Sequence, residues 1–177
     1  MIPALIATYI PLEEHSSTKS RLFALVDSML KNGQEKIKST EDMLLTALIS
    51  FANVEETSSE IRKLYATDLK AYEGIALSTE HSHSITKKIF SSKAFTDEEK
   101  DSIMAKLSTI DASDKLALTK AFCSAAKPDF KSKKMTWSKL FDSEGDLGLY
   151  ECWAMCEGFM QFSQRDLLTQ FEDSFFF

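Results

Sequence analysis

Glycine and proline are scarce in this chain, five and three among 177 residues. That scarcity constrains the fold more than any single motif, because turns lean on these two residues. Long regular elements with short connections are the expectation. Apolar residues recur at spacings of three and four, the helical period, along nearly the whole length. The alternation of a half-buried strand is almost absent. The chain reads as all-α.

The helices can be placed from their ends. Ser16 or Ser17 is positioned to cap a helix whose Leu22, Leu25, Val26, Met29 and Leu30 form one stripe. Gly33 would end it in a left-handed cap. Thr40, followed by Glu41 and Asp42, signals a second start. Leu44, Leu45, Leu48, Ile49 and Phe51 follow. A third helix runs from Ser58 or Ser59 through Ile61, Leu64, Tyr65, Leu69 and Tyr72 to Gly74. Ser78 to Ser91 carries Ile85, Ile89 and Phe90.

Thr96-Asp97-Glu98-Glu99 is a capping box, ahead of Ile103, Met104 and Leu107. Asp111 to Ala126 comes next, stopped by Pro128. Its alanines suggest a face that a neighbouring helix approaches closely. Asp129 caps a helix through Met135, Trp137, Leu140 and Phe141. Ser143-Glu144-Gly145-Asp146 is a turn. Leu149, Trp153, Cys156 and Met160 make a further stripe, and Ser163 opens the last helix with Leu167, Leu168 and Phe171.

About nine or ten helices with short connections favour antiparallel neighbours. Helix pairs recur at roughly thirty to forty residues, the scale of HEAT and armadillo repeats. The expectation is a single α-helical domain over residues 1–177, built as a HEAT/armadillo-like array. A compact helical bundle is the alternative.

Charge and cysteine usage narrow the function classes. A net charge of −6 argues against a nucleic-acid binder, which presents a basic face. The apolar start, Met1 to Ile10, is short, lacks a basic flank and is stopped by Pro11. It fits neither a signal peptide nor a membrane span. Three cysteines, an odd number, make no disulfide framework and suggest reduced thiols in the cytoplasm.

No arrangement of side chains announces chemistry. His81 and His83 are two apart and diverge on a helix, so they read as surface or cap histidines. His15 falls in a loop with no evident partner. Cys152 and Cys156 share a helix face, as a redox or metal pair would, but equally as two small core residues. Cys123 sits among alanines and reads as packing. There is no phosphate-cradling glycine loop and no His-Glu-x-x-His. Lys127, Lys131, Lys133, Lys134 and Lys139 form a basic cluster that reads as a solvated helix face, with binding of phosphate or an acidic partner as the alternative.

The phenylalanines carry more. Eleven of thirteen lie between Phe90 and Phe177. Burying one ring fully is worth on the order of 1.5–3 kcal/mol. Phe175-Phe176-Phe177 is therefore expected to fold back on the last helices or to dock on another surface.

The C-terminal half resembles, piece by piece and in order, the helical C-terminal domain of zinc aminopeptidases of the aminopeptidase N and puromycin-sensitive class. Ala125-Ala126-Lys127-Pro128-Asp129 resembles that family's alanine run before a proline. Lys134 and Trp137 resemble its lysine and tryptophan. Gly158-Phe159, Gln164-Arg165-Asp166-Leu167-Leu168 and the final phenylalanines resemble its glycine-phenylalanine, its glutamine-x-x-leucine-leucine and its closing aromatic pair. Asp111-Ala112-Ser113 is similar to the turn before its alanine helix. The likeness covers roughly Phe90 to Phe177. The arginine-tryptophan pair usual in the family near the position of His81 is absent.

The resemblance implies the C-terminal part of a longer polypeptide, an array that caps an active-site chamber and helps to bind peptide. It implies a zinc ion in a separate catalytic domain and none here, with no catalytic, cofactor-binding or metal residue in this chain. The implied partners are that catalytic domain and peptide substrate, not nucleic acid or membrane. A stand-alone helical scaffold that binds a protein is the alternative. A small enzyme or metal protein built on the cysteines is a third reading.

Overall fold

The computed structural model describes residues 9–32, 38–54, 59–141 and 147–172. The expectations placed on Met1, Gly33, Ser58, Ser143 to Asp146 and Phe175 to Phe177 fall outside the described residues. The helices run α1 (His15–Asn32), α2 (Lys38–Phe51), α3 (Ser59–Ala66), α4 (Thr79–Ser91), α5 (Asp97–Ile110), α6 (Asp114–Ala126), α7 (Phe130–Phe141), α8 (Leu149–Phe159) and the short α9 (Arg165–Leu168). Among the described residues the architecture is all-α, apart from one small hairpin between α3 and α4. The chain divides into two compact units, Met1–Asn53 with Ser58–Ile85, and Val54–Thr57 with Thr86–Phe177.

In the first unit a 3-10 turn, Leu12–Glu14, leads straight into α1. Neither Ser16 nor Ser17 is the cap; the Ser17 hydroxyl donates back to the Glu14 carbonyl at 3.0 Å. The buried face of α1 is His15, Phe23, Val26, Asp27 and Leu30. Leu25 and Met29, expected in the stripe, are exposed. The face is rotated because Asp27 points inward, and it can do so because Tyr72 reaches it. α2 starts at Lys38, so Thr40 lies inside its first turn and not at its cap. Leu45, Leu48, Ile49 and Phe51 form its buried side as expected.

The third expected helix is half as long. It ends at Ala66, and Leu69 and Tyr72 leave it. Asp68 and Leu69 take left-handed backbone angles, with φ of 53° and 58°. Ala71–Tyr72 and Ile75–Ala76 then pair antiparallel, with Tyr72 opposite Ile75. Glu73 and Gly74 between them both have positive φ, as a type I′ hairpin turn requires. Gly74 thus turns a hairpin instead of closing a helix. The two roles draw on the same conformational freedom, which is why the sequence did not separate them.

In the second unit two expected caps form, while Ser163 lies inside a 3-10 turn, Phe162–Gln164, and does not open the last helix. Thr96 and Glu99 close the capping box reciprocally, at 3.2 and 2.9 Å. Ile103 and Leu107 are buried beneath it. Asp129 caps α7 by accepting from the Ser132 amide at 2.8 Å. The most extensive helix packing in this unit is that of α6 on α8.

Candidate functional site

The α6–α8 contact is built from small residues. Gly158 of α8 faces the Phe122 carbonyl and the Ala125 methyl of α6 so closely that a Cβ at 158 would lie 2.3 Å from that oxygen. The alanines of α6 do mark a close approach, and α8 is the helix that makes it. Around it, Ala125, Met155, Phe159 and Phe171 form one buried cluster, with Trp137, Leu140 and Leu168 packed against it. The Trp137 ring lies 5.2 Å from Phe171 and 6.0 Å from Phe159, centre to centre. Phe159 and Phe171 meet edge to face at 5.4 Å. Leu167 and Leu168, expected as core, are half-buried; Phe159 and Phe171 are the core members.

Two polar side chains close this joint. Lys133, on α7, is fully buried. Its ammonium donates to the carbonyls of Ala125 at 2.8 Å, Phe159 at 2.9 Å and Gly158 at 3.2 Å. These oxygens lie at the C-terminal ends of α6 and α8, where helices leave carbonyls without intrahelical partners. The ammonium has three donors and meets three acceptors. Burial pushes its pKa down to about 8, with the nearby Asp129 carboxylate acting in the opposite direction. Gln164 does the same work one turn on. Its Nε2 donates to Ser91 O at 2.9 Å and to Ala126 O at 2.8 Å, while its buried Oε1 has no hydrogen-bond partner among the described residues.

The basic cluster is therefore not one solvated face. Lys133 is its interior member, and Lys131 and Lys134 are exposed. Lys127 pairs with Asp97 at 2.8 Å, which raises the lysine and lowers the carboxyl. Lys139 pairs with Glu151 at 3.0 Å. An open groove of about 550 Å³ is lined by Lys127, Lys131 and Lys139 together with Met135, Thr136 and Met155. A signal for Lys133 was present: Phe130, Lys133, Trp137 and Leu140 fall at helical spacing on one face of α7, so this lysine stands in an apolar register.

The expected stripe of α8 is real but faces the other way. Leu149, Trp153 and Met160 are each more than 60% exposed, with Tyr150 and Phe162 beside them. The buried side is Met155, Gly158 and Phe159. Cys156 and Cys152 are half-buried and interact with each other; burial, then that contact, raises the Cys156 thiol. Cys123 is a buried thiol raised further by burial, an inert packing residue as expected.

The histidines are not surface groups. His81 is buried and caps α4: Ser78 Oγ accepts from the His81 amide at 3.3 Å, and His81 Nδ1 accepts from the Ser78 amide at 3.2 Å. This is the capping-box exchange with an imidazole in the glutamate's place. The outer nitrogen meets Thr46 Oγ1 at 3.1 Å. His83 is buried too, and His15 opens α1 with its Nε2 at 2.8 Å from Ile10 O. In the same unit Asp27 accepts from Tyr72 Oη at 2.8 Å and pairs with Lys31 at 3.0 Å and Lys63 at 3.5 Å. Burial raises its carboxyl, but the Lys31 and Tyr72 hydrogen bonds and both ammonium charges outweigh that, leaving it below the usual range.

Among the described residues, no group of three or more His, Cys, Asp or Glu is arranged to hold a metal ion. No helix among them is long and apolar enough to cross a membrane. The chain matches no family model, no curated protein and no solved structure.

Proposed function

We propose that this chain is the C-terminal helical domain of a zinc aminopeptidase of the aminopeptidase N and puromycin-sensitive class. In that reading it closes over the chamber of a catalytic domain in the same cytoplasmic polypeptide and helps to bind peptide. The zinc and the reacting groups belong to that other domain.

One observation carries the reading. Several of the residues that bear the family resemblance, between Ala125 and Leu168, come together in one joint. Ala125 meets Gly158, Ala126 receives Gln164, and Trp137 packs on Phe159. Other pieces stay outside it: Ala112, Ser113, Asp129, Lys134, Arg165 and Asp166 are exposed, while Lys133, next to Lys134, enters the joint. Pieces that meet in space constrain one another, which gives the ordered set more weight than its separate members have. The HEAT-like form of the array is part of the proposal. It is supported by the packing of α6 on α8, because helices two apart lie side by side in a stacked two-layer array.

The exposed apolar face of α8 favours the second reading, a stand-alone scaffold that binds a protein, since such a patch suits an interface. Capture of the native polypeptide from its source cells separates the two. An antibody raised against the chain recovers the protein for peptide mapping, zinc analysis and assay on an aminoacyl-coumarin. The proposal expects peptides upstream of residue 1 that include His-Glu-x-x-His, bound zinc, and chelator-sensitive release of coumarin. A native polypeptide no longer than these 177 residues, without zinc or activity, would overturn it.

A further inference from the structure

Lys133 does more than fill space at the joint. The positions that face it are carbonyl oxygens from two different helices, Ala125 on α6 and Gly158 and Phe159 on α8. Each is a helix-terminal acceptor at the negative end of its helix, where a cation is favoured. The Phe159 ring lies 5.4 Å from the ammonium nitrogen, close enough to interact with a cation.

The charged side chains nearby are otherwise engaged. On α7, Asp129 lies one turn before Lys133, and its carboxylate is occupied in capping through Ser132. Just beyond α6, Lys127 is paired with Asp97. On α8, Glu157 is paired with Lys87 at 3.7 Å and Glu151 with Lys139. Also on α8, Cys152 and Cys156 contact each other, and Tyr150 is exposed and packs edge-on against Trp153. No carboxylate salt bridge to Lys133 is present among the described residues; the three carbonyls and the Phe159 ring hold its charge directly.

We propose that Lys133 is a proton-operated latch between the C-terminal ends of α6 and α8, holding three carbonyls when charged and releasing Gly158 when neutral. The ammonium has three N–H donors and the neutral amine two, so proton loss leaves one carbonyl without its donor. Gly158 O, at 3.2 Å, is the longest of the three contacts and is the one released. The latch is independent of the proposed enzymatic reading; it rests on the joint alone.

The test is a pH titration from 6 to 10 by NMR of the full chain, following Lys133 Nζ and the carbonyl carbon of Gly158. The latch predicts that both signals change with one shared midpoint, below the range of an ordinary lysine. In Asp129→Asn, which keeps a capping side chain, the shared midpoint moves to lower pH, because the carboxylate that favours the ammonium is gone. Lys133→Met, provided that it folds, leaves the Gly158 carbonyl without any transition in this range. Either of two results overturns the latch: a Gly158 carbonyl that stays flat while Lys133 titrates, or one that changes at a midpoint unrelated to Lys133.

Discussion

Replacing Gly158 by alanine adds one methyl group at the tightest point between α6 and α8. The new carbon would lie 2.3 Å from the Phe122 carbonyl oxygen and 3.1 Å from the Ala125 methyl. The first distance is about 1 Å short of ordinary van der Waals contact. Because the obstacle is helix backbone and not a flexible side chain, α8 has to retreat. Overpacking of this kind costs about 1–3 kcal/mol. Retreat also lengthens the Lys133 bonds to Gly158 and Phe159, each worth about 1 kcal/mol. Against this, alanine is favoured over glycine inside a helix by about 1 kcal/mol. The net is a loss of about 2 kcal/mol. In urea that lowers the unfolding midpoint of the second unit by about 1 M. Gly148, whose added methyl would meet nothing within 4 Å, serves as the control position. The reasoning is refuted if Gly158→Ala is as stable as the parent chain or more so, since helix preference would then have acted with no clash to oppose it.

Lys133 links stability to pH with a definite sign. Its folded pKa, about 8, lies below that of an unfolded lysine near 10.4, so between those values the unfolded chain binds more protons. Stability therefore rises with pH above about 8 and is lost as pH falls through it. The raised Cys123 and Cys156 thiols act with the opposite sign over the same window, so the lysine is read from a difference: from pH 8 to 9.5 the stability of the parent chain relative to Lys133→Met should rise by about 1–2 kcal/mol; a difference that falls over that window would contradict the assignment. Tyr72→Phe removes the hydroxyl that donates to Asp27 and should cost about 1 kcal/mol, read as faster amide exchange in the hairpin and α1; unchanged exchange would mean that the bond does not pin the hairpin. Asp27, held below the usual carboxylate range, contributes stability at neutral pH that is lost as pH falls through its folded pKa. The parent chain should accordingly lose more stability on acidification than Asp27→Asn; equal losses would exclude this role. Trp153→Ser alters an exposed ring and should shift stability by less than about 0.5 kcal/mol. A larger loss, measured by thermal melting, would place that ring in a core.

The parts of the fold legible in sequence are those set by neighbouring residues. The Thr96–Glu99 box and the Asp129 cap are exchanges across three residues, and both formed as read. Long-range contacts were another matter. Which face of α1 or α8 turns inward depends on what lies across from it: Asp27 is inside because Tyr72, 45 residues on, satisfies it. Leu149, Trp153 and Met160 form a stripe that period alone cannot assign to core or solvent. Lys133 was hidden because a lysine's default reading is solvent, and only three converging carbonyls reverse that. His81 was placed as a possible cap from its position, but its burial beside Thr46 joins residues 35 apart in sequence.

The central claim is that α6 and α8 meet in a single close-packed joint, with Gly158 of α8 against Phe122 and Ala125 of α6. An NMR spectrum of through-space contacts on the isotopically labelled full chain tests it most directly. A cross-peak between the Gly158 α-protons and the Ala125 methyl is predicted. If both resonances are assigned and that cross-peak is absent, the joint is not built as described.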